Sequence, residues 1–141
     1  MLHAMSLVSL WVFSSGSGAN DFACPADIQV EEHVPAPPSG WTAFSNDAQG
    51  RHLRVAVGFY DGPPEERASL KQDSEDETGP AVWTFARTPG RAIWQVCTYS
   101  DTPLRLSRPL PDSIQSCRAT YESRKRGTVG GLRVLKAVTC Q

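Results

Sequence analysis

The stretch that most restricts the fold is Arg51 to Leu70, RHLRVAVGFYDGPPEERASL. Its first half alternates with a period of two. Leu53, Val55, Val57 and Phe59 share one parity, while His52, Arg54, Ala56, Gly58 and Tyr60 share the other, the pattern of a β-strand with one face in a core. The strand then has to end. Asp61-Gly62 supplies turn chemistry, and Pro63-Pro64 removes two backbone donors, so no sheet ladder can continue through it. The polar Glu65-Glu66-Arg67 that follows has nothing to bury, and the spacing predicts a stiff surface loop carried on a β scaffold.

The rest of the chain repeats this grammar of short strands and turns. Asp27 to Val34 places Ile28, Val30 and Val34 on one parity before the extended linker Pro35 to Gly40, and Trp41 to Phe44 reads as a short strand or an aromatic plug. Lys71 to Pro80 contains no apolar residue and reads as a mobile acidic loop. Ala81 to Ala86 resumes strand character. Arg91 to Ser100 is apolar on both parities, as an interior strand would be, and Leu104, Leu106 and Leu110 mark the buried side of the next strand, with Arg105 and Ser107 outward. Ile114 to Tyr121 and Leu132 to Cys140 form a terminal hairpin across Arg124-Lys125-Arg126-Gly127 and Gly130-Gly131. No stretch combines helical periodicity with caps. The reading is an all-β fold, an antiparallel sandwich or partly open barrel of about seven to eight short strands.

The cysteines staple this scaffold. Residues 1–19 read as a signal peptide, with Met5 to Phe13 as its apolar core and Ser17-Gly18-Ala19 as its cleavage site, and residues 20–141 as a single exported β domain. A lipid-modified Cys24 is the weaker alternative, because the aliphatic residue expected three positions before it is absent. All four cysteines, Cys24, Cys97, Cys117 and Cys140, fall in the exported part, and an even number in a small domain indicates two disulfides. A hairpin folding Cys117 onto Cys140 favours that pair, with Cys24 joined to Cys97. The nested arrangement, Cys97 with Cys117 and Cys24 with Cys140, stays open. Without a C-x-x-C motif the spacing matches neither a zinc site nor a thioredoxin-like centre, so no metal and no cofactor is implied.

A set of motifs also carries a resemblance. VGFYDGPPEERASL from Val57, WTF at Trp83 to Phe85, W-x-x-C-x-Y at Trp94 to Tyr99, LSRPLP at Leu106 to Pro111 and C-x-x-x-Y at Cys117 to Tyr121 resemble a family of small exported bacterial proteins named after a hypothetical protein of typhoid Salmonella, the STY-type family. The likeness extends over nearly the whole exported chain, including Cys24-Pro25. Some members of that family lie beside toxins of the type VI secretion system, and the resemblance therefore implies a periplasmic immunity protein. What it implies is a neighbourhood, with no chemistry attached.

Chemistry has to come from the residues. The imidazoles of the exported part are His33 and His52, neither with a partner motif for nucleophilic catalysis, and His52 sits on the polar parity between Arg51 and Arg54, as a solvated strand residue would. Asp61, Glu65 and Glu66 could supply an acid and a base, but in an exposed turn water surrounds them. An envelope hydrolase has no motif here, and the chain reads as non-enzymatic.

Binding fits better. The formal net charge is −1, from 14 basic and 15 acidic side chains, which argues against a nucleic-acid partner. No run after Phe13 is apolar enough to span a bilayer, so stable membrane insertion is not expected. The neutral total hides an acidic region, Glu65 to Glu77, and a basic one, Arg118 to Lys136, that could steer a protein partner such as a secreted toxin. Tyr60, Asp61, Glu65, Glu66 and Arg67 are the candidate contact residues, with Tyr60 as an exposed anchor. The alternative is a small-ligand or cell-wall-fragment binder that stacks on Trp41, Trp83 and Trp94. Trp94, in the doubly apolar strand, is expected in the core. A periplasmic or secreted location follows from the signal and the cysteines.

Overall fold

A computed structural model describes residues 22–31, 33–44, 50–74, 79–124 and 132–141. The expected signal peptide, residues 75–78 of the acidic stretch and the turn of the terminal hairpin lie outside the described residues. Among the described residues seven strands follow in order: β1 (Asp27–Gln29), β2 (Arg51–Asp61), β3 (Ala81–Thr84), β4 (Ile93–Tyr99), β5 (Arg105–Pro109), β6 (Ser116–Arg124) and β7 (Leu132–Cys140), with one 3-10 turn at Pro64–Glu66. They make two antiparallel sheets, β1-β2-β4-β5 and β3-β6-β7. The all-β, disulfide-stapled sandwich read from the sequence is the observed fold.

The core lies between the sheets. From the first come Val57, Phe59, Ile93, Cys97 and Tyr99, and from the second Ala81, Trp83, Cys117, Ala119, Leu135 and Val138, with Phe85, Leu110 and Ile114 closing one end. Phe59 is at the centre, edge-on to Trp83 at 5.0 Å between ring centroids and tilted against Phe85 at 5.2 Å. Both disulfides run through this core, Cys24–Cys97 and Cys117–Cys140. Cys117 faces Cys140 directly in the β6–β7 register, as the hairpin argument required, and the nested pairing is excluded. Cys24–Cys97 ties the segment before β1 to β4, one of the two central strands of the larger sheet.

β2 departs from simple alternation. Arg54 pairs with Tyr99 but Ala56 pairs with Thr98, so Val55 is an extra residue, a β-bulge. One inserted residue inverts the parity of everything before it. Val57 and Phe59 face the core as expected, whereas Leu53 is 45% exposed and His52 is buried. His52 is therefore not a solvated residue: its Nδ1 lies 2.7 Å from the Ser100 carbonyl oxygen. Arg54, expected on the outward side, instead joins the two sheets, donating to the carbonyls of Cys24 at 2.9 Å and Lys136 of β7 at 3.0 Å.

Five other expectations change. β1 ends at Gln29, and Trp41 to Phe44 forms neither a strand nor a plug, since Trp41 is 76% and Phe44 84% exposed. β6 starts at Ser116, leaving Ile114 as a buried anchor ahead of it. The described start of the acidic stretch is held, because Asp73 donates its N–H to Val82 and its carboxylate accepts from Thr84 N–H at 2.8 Å. The strand marked by Leu104, Leu106 and Leu110 buries only Leu110, because β5 is the edge of its sheet.

Candidate functional site

The loop after β2 is a hairpin tip with a built interior. Asp61 N–H donates to Ala68 at 2.9 Å and Leu70 N–H to Phe59 at 2.8 Å, while Tyr60 bridges Ser69, so Ala68 to Leu70 returns alongside the strand that it left. The intervening residues turn in a 3-10 helix, Pro64–Glu66, whose first position suits proline because no donor is needed there. Arg67 ends the turn in the left-handed region at φ 60° and donates its N–H to Pro64. Glu65, Glu66 and Arg67 project into solvent, so the sequence-predicted residues Tyr60, Asp61, Glu65, Glu66 and Arg67 are brought together on one tip.

What sequence reasoning missed is Arg91. Its guanidinium donates through Nη2 to the Asp61 carbonyl and to the Glu66 carboxylate, and its Nε lies 3.1 Å from Asp61 Oδ1. The Glu66 hydrogen bond, followed by the charges of Glu66 and Asp61, raises the Arg91 pKa against the opposing effect of desolvation. Asp61 Oδ1 is shut away from water with this ion contact and no directed hydrogen bond. Gly62 makes room for the clamp. A Cβ there would stand 2.4 Å from Arg91 Nη2, and its φ of +89° is glycine territory. Its N–H donates to Ala92 at 2.9 Å, fastening the tip to the start of β4. A surface arginine thirty positions downstream carries no local signature of such a role, and Arg67, next to Glu66 in sequence, was the nearer cation for these carboxylates.

Tyr60 belongs to a second feature, the outer face of the larger sheet. Registers place Tyr60, Trp94 and Pro109 in one row, Gly58, Val96 and Ser107 in the next, and Ala56, Thr98 and Arg105 in a third. Val96 is 3% exposed yet stands apart from the core cluster, because it faces outward. The expectation that Trp94 is a core residue fails for the same reason: it alternates with Ile93 and Gln95 and is half-buried on the outside. Tyr60 is half-buried rather than exposed, its hydroxyl 3.4 Å from Arg105 Nη1. This face presents aromatic rings and a guanidinium, residue types that protein interfaces favour, over a floor of small residues.

The stacking alternative loses its geometry. Trp83 is buried against Phe59 and donates Nε1–H to the Leu70 carbonyl at 3.3 Å, Trp94 is on the opposite side of the other sheet, and Trp41 is on the segment after β1. The three rings share no surface. Among the described residues no group of three or more His, Cys, Asp or Glu side chains gathers as a metal site, and no helix is long and apolar enough to cross a membrane.

Residues 48–141, about two thirds of the chain, match the model of the type VI secretion system Tli immunity protein family. The matched segment contains β2 to β7, the hairpin tip and Arg91. That family bears a different name from the STY-type family whose motifs the sequence resembles, and the two agree in the type VI immunity connection. No curated protein and no solved structure matches the chain.

Proposed function

The chain belongs to the type VI secretion system Tli immunity protein family, and on that premise we propose that it is a non-enzymatic immunity protein that binds and neutralises a toxin in the periplasm. The observation that carries the binding site is the clamped hairpin tip. A loop held by Arg91, by the Gly62 to Ala92 hydrogen bond and by the return along Ala68 to Leu70 is ordered before a partner arrives, so association forfeits little conformational entropy. Glu65 and Glu66 give the tip negative charge to steer a basic surface, Arg67 adds a donor, and the half-buried Tyr60 supplies contact area at its base. Two disulfides suit an oxidising compartment, which supports a periplasmic site of action against an envelope-targeted toxin.

The test replaces Glu65, Glu66 and Arg67 together with alanine. The variant is expected to keep an unfolding midpoint close to that of the wild type, since these side chains are exposed and Arg91 retains its contacts to Asp61 when Glu66 is lost, and to bind its cognate type VI toxin more weakly. The loss should be greatest at low salt, where charge steering is least screened. Unchanged binding with early melting would make the tip structural and sink the assignment.

A further inference from the structure

The strand β5 has the pattern of a half-buried strand but, among the described residues, lacks a covering layer. Leu106 pairs with Cys97 on the core side of the sheet, yet it is 42% exposed, and Leu104, two residues earlier, is 53% exposed. The smaller sheet has three strands against four, and β5 packs chiefly on β4, so its apolar side overhangs the core. Its backbone is equally one-sided. Leu110 N–H donates to the Ile93 carbonyl at 2.7 Å, so the alternation of antiparallel bonds turns Arg108 and Leu106 toward β4 and turns Pro109, Ser107 and Arg105 away. Pro109 is tolerated because the position where it lacks an N–H faces no strand of this sheet. The edge thus offers the N–H and C=O of Arg105 and Ser107 beside two uncovered leucines.

We propose that the toxin adds an extended strand to this edge, pairing its backbone with Arg105 and Ser107 and covering Leu104 and Leu106 with its own apolar side chains. The inference rests on the toxin-binding reading above and names a second contact for it. Charge defines the segment further. From Leu104 to Leu110 the chain has two arginines and no acid, and Arg105 stands on the outer face while Arg108 reaches Gln95 Oε1 at 2.9 Å on the inner one. A matching strand carries a carboxylate opposite Arg105 and alternates apolar residues on its other side. Arg105 also meets the Tyr60 hydroxyl, so the edge and the hairpin tip lie on one continuous surface.

The experiment uses the full exported chain, oxidised, with its purified cognate type VI toxin. Ser107→Pro removes the outward N–H without disturbing the β4 ladder, and Ser107→Ala keeps it. The proline variant is expected to bind at least about tenfold more weakly, the loss of one hydrogen bond to a partner acceptor left buried, and the alanine variant to bind as the wild type does. In hydrogen exchange on the wild-type complex, the Arg105 and Ser107 amides should change from fast to slow. This second readout decides the matter even if Ser107→Pro folds poorly. Tight toxin binding with both amides still exchanging fast would overturn the strand inference while leaving the immunity reading intact. So would protection already present in the free monomer, which would mean that another segment of this chain covers the edge, or a wild-type dimer that Ser107→Pro dissolves. Absence of toxin binding by the wild type overturns both.

Discussion

Replacing Gly62 by alanine tests the architecture of the hairpin tip at its tightest point. Two costs meet there. The backbone φ of +89° is unfavourable for any residue with a Cβ, a strain of about 1 to 3 kcal/mol. The new Cβ would also fall 2.4 to 2.9 Å from three atoms of the Arg91 guanidinium. These atoms are the far end of a long, partly exposed side chain, which can swing outward, so the clash should be relieved by losing the contacts to Asp61 and Glu66 and not by moving the backbone. Urea unfolding should therefore give a destabilisation of about 1 to 2 kcal/mol, governed chiefly by φ, and a slightly smaller cost when Gly62→Ala is made in an Arg91→Ala background, where the exposed clamp contacts are already absent. Toxin binding should fall in the single variants, because each releases the clamp. A negligible stability cost in both backgrounds would refute the positive φ. A cost several times larger with Arg91 present than without it would show that the guanidinium cannot move, and the reasoning from side-chain flexibility would be wrong.

Phe59→Ala should cost about 3 to 5 kcal/mol in the same assay, a large share of a small domain's stability, because Phe59 is 1% exposed between Trp83 and Phe85; a loss below about 1 kcal/mol would mean that the ring is not central to the core. Denatured, unreduced protein should show no titratable thiol. Opening Cys24–Cys97, which spans 73 positions, should destabilise more than opening Cys117–Cys140, which spans 23, roughly 4 to 5 against 3 to 4 kcal/mol on chain-entropy grounds. Burial raises the pKa of Tyr99 and of Tyr121, the latter opposed by a backbone hydrogen bond at Val57 and by Arg133, whose guanidinium lies 4.5 Å from the ring centroid. The folded state then keeps these protons after the unfolded state has lost them, so stability should be insensitive to these groups below about pH 10 and fall as pH rises above it. Arg133→Gln should push the Tyr121 titration, followed by phenolate absorbance, still higher; a downward shift would contradict the charge argument.

Much of this protein is local chemistry and could be read directly. Period-two runs at Val57 to Phe59 and Ile93 to Tyr99 become strands because alternate side chains necessarily fall on opposite faces. The Asp-Gly-Pro-Pro corner ends β2 because two prolines cannot join a ladder. Cys117 and Cys140 meet because the terminal hairpin sets them opposite each other. Tertiary structure decided what depends on which strand pairs with which. The bulge at Val55 appears only against the register of β4, and it inverts His52 and Leu53 even though their sequence parity is regular. Arg91 becomes the clamp of a loop thirty residues earlier because β2 and β4 are neighbours, a relation that no local window contains. Leu104 and Leu106 have the pattern of buried residues and stay exposed because the facing sheet is one strand narrower. Alternation belongs to the strand, whereas burial belongs to what lies above it, and for β5 that layer is not supplied by its neighbours in the sandwich.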